Sequence, residues 1–166
     1  MKAMILAAGR GGRMGGVSAH TPKPLLKIAN KTLIEYHLEN LARAGIAEVV
    51  VNLHHLGEKV QSYLGDGTRY KLNIQYSQED SLLGTGGGIY NALAMLGEEP
   101  FIVLSGDMWT DYDYAKLPRN IESLAHIVMV DNPPFHPHGD YQLENGKVKH
   151  KGNSSLNYAG FGVFKP

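Results

Sequence analysis

Short apolar runs of strand character alternate with stretches of helical spacing over the first ~130 residues, and this alternation restricts the chain to a mostly parallel, helix-flanked sheet. Ala3 to Ala8 is an apolar run ending at Gly9, which reads as a buried strand feeding a loop. Thr32-Leu-Ile-Glu35 is a capping box, Ile34, Leu38 and Leu41 recur at helical spacing, and Gly45 stands where such a helix would stop. Glu48 to Leu53 is β-branched and predicts a strand. Leu56, Val60 and Leu64 predict a helix, and Asn73 to Ser77 the next strand. Thr85 is the expected N-cap of a helix with Ile89, Leu93 and Leu96 on one face and Gly97 behind it. Phe101 to Leu104 is a buried strand ending in Ser105-Gly106-Asp107, and Ala125 to Val130 is another strand. The helices then stop: Tyr141 to Leu143, Lys147 to Lys149 and Tyr158 to Phe164 read as strands, with Glu144-Asn145-Gly146 as a hairpin turn. The expected fold is therefore α/β, one domain over residues 1–166, with an antiparallel last third making the sheet mixed. Ligands of such sheets bind at the carboxyl ends of the strands, which places the Gly9 loop, the Gly84 turn and Asp107 along one edge.

Bulk properties remove several classes of function. Lys plus Arg and Asp plus Glu are both 16, so no broad basic footprint exists for nucleic acid or an anionic membrane. The chain has no cysteine, which excludes a disulfide framework and a Cys-ligated zinc site and fits a cytoplasmic protein. The apolar run at the start is too short for a signal peptide and is followed by Arg10 and Arg13. No stretch approaches the length of a membrane span. His54-His55 and His136-Pro-His138 lack the spacing of common zinc sites and read as loop or solvated residues.

Four motifs carry chemistry. Gly9 to Pro24 holds five glycines and two prolines, a long loop in which Gly9, Gly11 and Gly12 let backbone N–H groups approach phosphates and Arg13 can hold two phosphate oxygens. It is neither a Walker A loop nor G-x-G-x-x-G, because Met14 stands at the third glycine position. In Pro22-Lys23-Pro24 two prolines fix the backbone around a compact cation suited to phosphate, although a lone lysine of this kind is also a common solvated turn residue. Gly84-Thr85-Gly86-Gly87-Gly88 opens a helix whose free N–H groups admit a planar or anionic ligand, or simply cap the helix. Asp107, at a strand's carboxyl end, is a hard-oxygen ligand for Mg²⁺ or a turn aspartate.

These elements, in this order, resemble the sugar-1-phosphate nucleotidyltransferases, the nucleotide-sugar pyrophosphorylases: Ala-Ala-Gly-x-Gly-x-Arg-Met at Ala7 to Met14, Pro-Lys-Pro-Leu at Pro22 to Leu25, Gly-Thr-Gly at Gly84 to Gly86, and Gly106-Asp107. Trp109 to Asp113, Val130 to Pro133 and Gly139 to Tyr141 look most like the N-acetylmuramate α-1-phosphate uridylyltransferases of cell-wall recycling. The resemblance implies a Rossmann-like fold of the nucleotide-diphospho-sugar transferase type and an Mg²⁺-dependent reaction. A nucleoside triphosphate, UTP above others, would join a sugar-1-phosphate and release pyrophosphate. It also implies roles. Gly9 to Arg13 would cradle the triphosphate, Lys23 would neutralise the α-phosphate, and Asp107 would bind Mg²⁺. Ala7, Ala8, Glu79 and Gly84 would frame base and ribose, with Thr85 beside them. Gly139, Asp140 and Gly160 would lie against the sugar phosphate.

The chain departs from the family at Gly15-Gly16-Val17, where a cation and a proline are usual, and at Gly12, where Thr or Glu is common. Relatives also run well past Pro166, so the chain is expected to be shortened and to lack their second Mg²⁺-binding acid, for which Asp111 and Asp140 are positional candidates. Glu79 stands where many relatives have glutamine; as an acceptor it suits uracil N3–H or the paired N–H groups of guanine. The alternatives are a guanylyl- or thymidylyltransferase on another hexose-1-phosphate, and a non-catalytic nucleotide-binding module.

Overall fold

The structure, a computed structural model, describes residues 1–10, 20–149 and 155–166. Its central sheet follows the order β5-β4-β1-β6-β10, formed by Asn73–Gln78 (β5), Glu48–Leu53 (β4), Ala3–Leu6 (β1), Phe101–Ser105 (β6) and Ser155–Phe164 (β10). The pairs β1–β4, β1–β6 and β4–β5 are parallel, whereas β10 runs antiparallel to β6. Ala125–Val130 (β7) also pairs antiparallel with β10, and Tyr141–Glu144 (β8) and Lys147–Lys149 (β9) continue from its first residues. The mixed, mostly parallel sheet expected from the alternation is thus the observed one.

Helix Leu33–Arg43 (α1) starts at the capping box: the Thr32 backbone N–H and hydroxyl both donate to Glu35 Oε2, at 2.8 and 2.9 Å. Helix Gly57–Leu64 (α2) follows β4, and helix Gly84–Leu96 (α3) follows β5. One face of the sheet (Ala3, Ile5, Val49, Val51, Leu104) packs on Ile34, Leu38 and Leu41 of α1 and Val60 and Leu64 of α2. The other (Met4, Val50, Phe101, Val103) packs on Ala92 and Leu96 of α3. Strands covered on both sides are apolar through their buried centres, which is why Ala3 to Leu6 and Phe101 to Leu104 read as unbroken hydrophobic runs. Each such fully buried Leu, Ile or Val contributes about 1.5–3 kcal/mol.

Two local expectations change, and one small element adds to them. α3 begins at Gly84, with Leu83 rather than Thr85 at the N-cap and no side-chain cap; glycine tolerates the helix start, and Thr85 lies exposed inside the first turn. Leu56 opens α2 with a left-handed backbone, φ 54°. A small hairpin, Lys27–Ile28 (β2) with Lys31–Thr32 (β3), precedes α1 and is too short to show a period. The β8–β9 turn forms as expected, with Asn145 at φ 49° and Gly146 at φ 72°, the two positive angles of a type I′ turn.

Candidate active site

Parallel register builds the site floor. Leu6 lies opposite Asn52 on one side and Ser105 on the other, and Asn52 opposite Ser77, so four residues form one row across the carboxyl ends of β5, β4, β1 and β6. Beyond that row opens a cavity of about 520 Å³. Ala7, Ala8, Gly9, Lys23, Glu79, Gly84, Thr85 and Asp107 all line it, together with Leu6, Arg10, Pro24, Asn52, Leu82 and Ser105. The residues expected along one edge are therefore brought together. Gly11, Gly12 and Arg13 lie outside the described residues.

Lys23 Nζ stands 3.1 Å from Asp107 Oδ2, a contact between residues 84 positions apart. Lys23 sits in a 3-10 turn, Lys23–Leu25, with Pro24 buried beneath it. Pro24 can approach because the residue before Asp107 is glycine: a Cβ at Gly106 would stand 2.8 Å from the Leu6 carbonyl oxygen and 3.3 Å from Pro24 Cγ. Gly106→Ala should therefore force the end of β6 away from the Leu6 carbonyl and crowd Pro24 beside Lys23. The expected result is at least a tenfold loss of activity with a loss of about 1–3 kcal/mol in stability, measured by initial rates and urea denaturation. Activity equal to the parent would show that the close approach is dispensable.

Glu79 is 2% exposed and Asn52 2% exposed, and together they tie four elements. Asn52 Oδ1 accepts from the Ala7 N–H at 2.7 Å, Asn52 Nδ2 donates to Glu79 Oε1 at 2.7 Å, and Glu79 Oε2 accepts from the Leu83 N–H at 3.2 Å. The cluster links the ends of β1, β4 and β5 to the start of α3. Asn52 was not among the expected site residues, yet a polar residue in the run Glu48-Val-Val-Val-Asn52 was the available signal. Buried amides and carboxylates of this kind are costly unless paired.

The residues expected at the sugar phosphate are placed differently. Gly160 lies within the irregular stretch of β10 and faces Ser105 and Met108, at the edge of the site. Gly139 packs against Asn132 and the Leu156 carbonyl. Asp140 Oδ1 lies 3.2 Å from His136 Nε2, and its Oδ2 accepts from the Tyr158 N–H at 2.9 Å. Gly139, Asp140 and Gly160 do not line the cavity, and Asp111 does not either. Among the described residues no three His, Cys, Asp or Glu side chains converge as a metal cage. Mg²⁺ does not need one, since one or two carboxylates with substrate phosphates and water suffice. Asp107, with 47% of its side chain exposed at the cavity, fits that donor pattern.

A cavity at the carboxyl ends of a mostly parallel, helix-flanked sheet, with a paired lysine and aspartate on it, defines an α/β protein with its ligand site at the strand ends. Residues 2–152 match the nucleotidyl transferase family, and the chain belongs to it. It is 44% identical to an N-acetylmuramate alpha-1-phosphate uridylyltransferase of Neisseria meningitidis, an alignment covering all of this chain and 76% of that protein. The protein of the same description from Caulobacter vibrioides is 32% identical, over 99% of this chain and 75% of its own length. Among solved structures, HddC from Yersinia pseudotuberculosis complexed with GMP-PN superposes with a TM-score of 0.79 at 25% identity, over 99% of this chain and 76% of that one. Among the described residues no helix is long and apolar enough to cross a membrane.

Proposed function

We propose that the chain is an Mg²⁺-dependent uridylyltransferase that joins UTP to N-acetylmuramate α-1-phosphate. The observation that carries this reading is the 3.1 Å Lys23–Asp107 contact on the cavity at the strand ends. The choice of UTP and of this sugar is supported by the two uridylyltransferase relatives.

The reaction needs two anions brought together. An oxygen of the sugar phosphate attacks the α-phosphorus of UTP; the new P–O bond forms as the bond to the β-phosphate oxygen breaks, and pyrophosphate leaves with that electron pair. The nucleophile is already ionised near neutral pH, so the chain supplies no general base. Its work is positioning and charge neutralisation. Lys23 places an ammonium at the α-phosphate, where negative charge must be tolerated during attack. The backbone N–H groups at the start of α3 and at Ala8 and Gly9, all on the cavity, would meet base, ribose and phosphates. Asp107 would hold the metal. Mg²⁺ bound there would neutralise phosphate charge and stabilise the leaving oxygens. Before nucleotide arrives, Lys23 and Asp107 satisfy each other; substrate would replace each partner with a stronger one. Gly139, Asp140 and Gly160 would shape the sugar side, the first two by holding the Asn132–Leu156 corner.

The test is pyrophosphate release from UTP, GTP or dTTP, each with N-acetylmuramate α-1-phosphate, glucose-1-phosphate or mannose-1-phosphate. The fastest release is expected with UTP and the muramate phosphate. A faster rate with another pair reassigns the substrates. Mg²⁺-dependent nucleotide binding without release from any pair would make the chain a binding module.

A further inference from the structure

α1 turns two buried polar side chains, His37 and Asn40, toward the segment that follows Asp107. His37 is 1% exposed. Its Nε2 lies 2.9 Å from the Met108 carbonyl oxygen and its Nδ1 2.7 Å from the Tyr114 hydroxyl. A carbonyl only accepts, so Nε2 carries the proton and Nδ1 accepts from the Tyr114 O–H. One turn along, Asn40 Nδ2 donates to the Tyr112 carbonyl at 2.6 Å, and Asn40 Oδ1 accepts the Tyr114 N–H at 3.5 Å. The rings of Tyr112 and Tyr114 rest on Phe161 at 5.2 and 5.6 Å, beside Gly160. Residues 108–113 belong to no helix or strand. No ladder holds this stretch: the Met108 and Tyr112 carbonyls are tied by side chains of α1, while the Tyr112 N–H donates to Thr110 Oγ1 at 3.1 Å within the segment.

We propose that His37 is a positioning residue for the transfer reaction: with its Nε2–H on the Met108 carbonyl and the Tyr114 hydroxyl behind it, His37 fixes the turn that presents Asp107 to Lys23. The proposal rests on the reading of Asp107 as the metal-facing carboxylate. A metal ligand is only as well placed as the groups that hold it, and removing a supporting partner weakens metal binding without touching the ligand. Loss of the Tyr114 hydroxyl would leave Nδ1 buried without a donor and would release the tautomer that serves Met108.

The experiment measures Mn²⁺ binding to the full chain in the presence of UTP and without sugar phosphate, by electron paramagnetic resonance of free Mn²⁺. The Mg²⁺ concentration for half-maximal pyrophosphate release is measured beside it. Tyr114→Phe and His37→Phe are each expected to weaken Mn²⁺ binding about three- to tenfold and to raise the Mg²⁺ requirement in parallel. His37→Gln, which keeps a donor for Met108, is expected to recover part of that loss. Asp107→Asn is the reference. If it weakens Mn²⁺ binding while Tyr114→Phe binds as the parent does, the positioning role is overturned and the metal reading stands. If Asp107→Asn also binds as the parent, the metal reading fails and the proposal falls with it. Should His37→Phe not fold, Tyr114→Phe decides alone, since it removes one hydroxyl and keeps the ring on Phe161.

Discussion

Replacing Lys23 with alanine is expected to lower turnover about 10²- to 10³-fold while weakening UTP binding far less. The reason lies in where the ammonium sits. Its partner in the structure is Asp107, with the cavity beyond, and the side chain is 18% exposed, so its charge is only partly screened by water. A cation so placed acts most strongly when the α-phosphorus is crowded by attacking and leaving oxygens, and less strongly on the resting triphosphate, which has other donors. An interaction that strengthens in the transition state is lost from turnover rather than from binding. Steady-state kinetics with calorimetric nucleotide titration separates the two, and an unchanged turnover number would remove Lys23 from the mechanism. Arginine is not expected to restore the rate, because its longer, planar fork does not deliver a compact point charge where the Lys23 ammonium meets Asp107.

The second large effect is on stability in acid. Burial pushes the His37 imidazole down to about 4 from an ordinary 6.5, with the Met108 carbonyl and the charge of Asp107 pulling weakly the other way. Below pH 6.5 the unfolded chain takes up a proton at this site that the folded chain refuses until about pH 4. Stability therefore falls as pH falls through that window and is fully present above it; the contribution reaches about 3 kcal/mol. Urea unfolding of the parent and of His37→Gln at a series of pH values between 7 and 4 measures it. The parent should lose stability more steeply on acidification than the variant, which has no titrating group at this position. Equal slopes would mean that the ring takes up its proton at the same pH in the folded chain as in the unfolded one.

Both effects depend on residues whose sequence signals differ sharply. Lys23 and Asp107 stood out because each sits in a local motif whose chemistry needs only a few neighbours: prolines on either side of a cation, a carboxylate at the end of an apolar strand. His37 and Asn40 stood out in no way. They fall between Ile34, Leu38 and Leu41 on a helix whose apolar spacing is obvious, and nothing nearby in the chain shows that their partners lie 71 to 77 positions later. Asn52 and Glu79 are intermediate: a polar residue interrupting a β-branched strand is visible, but that the two meet is not.

The order of strands and helices, the capping box at Thr32, the Asn145-Gly146 turn and the reversal to antiparallel pairing were all written locally, in periodicity and in turn and cap residues that act over a few positions. Family membership was legible from four motifs in order. What only the tertiary structure decided is which polar groups meet: Lys23 with Asp107, Asn52 with Glu79, His37 with Met108 and Tyr114. It also decided that Asp140 is engaged by His136 and the Tyr158 N–H. Those pairings arise because closing the sheet removes distant segments from water together, and a polar group deprived of water must find its partner among whatever the fold has brought within reach.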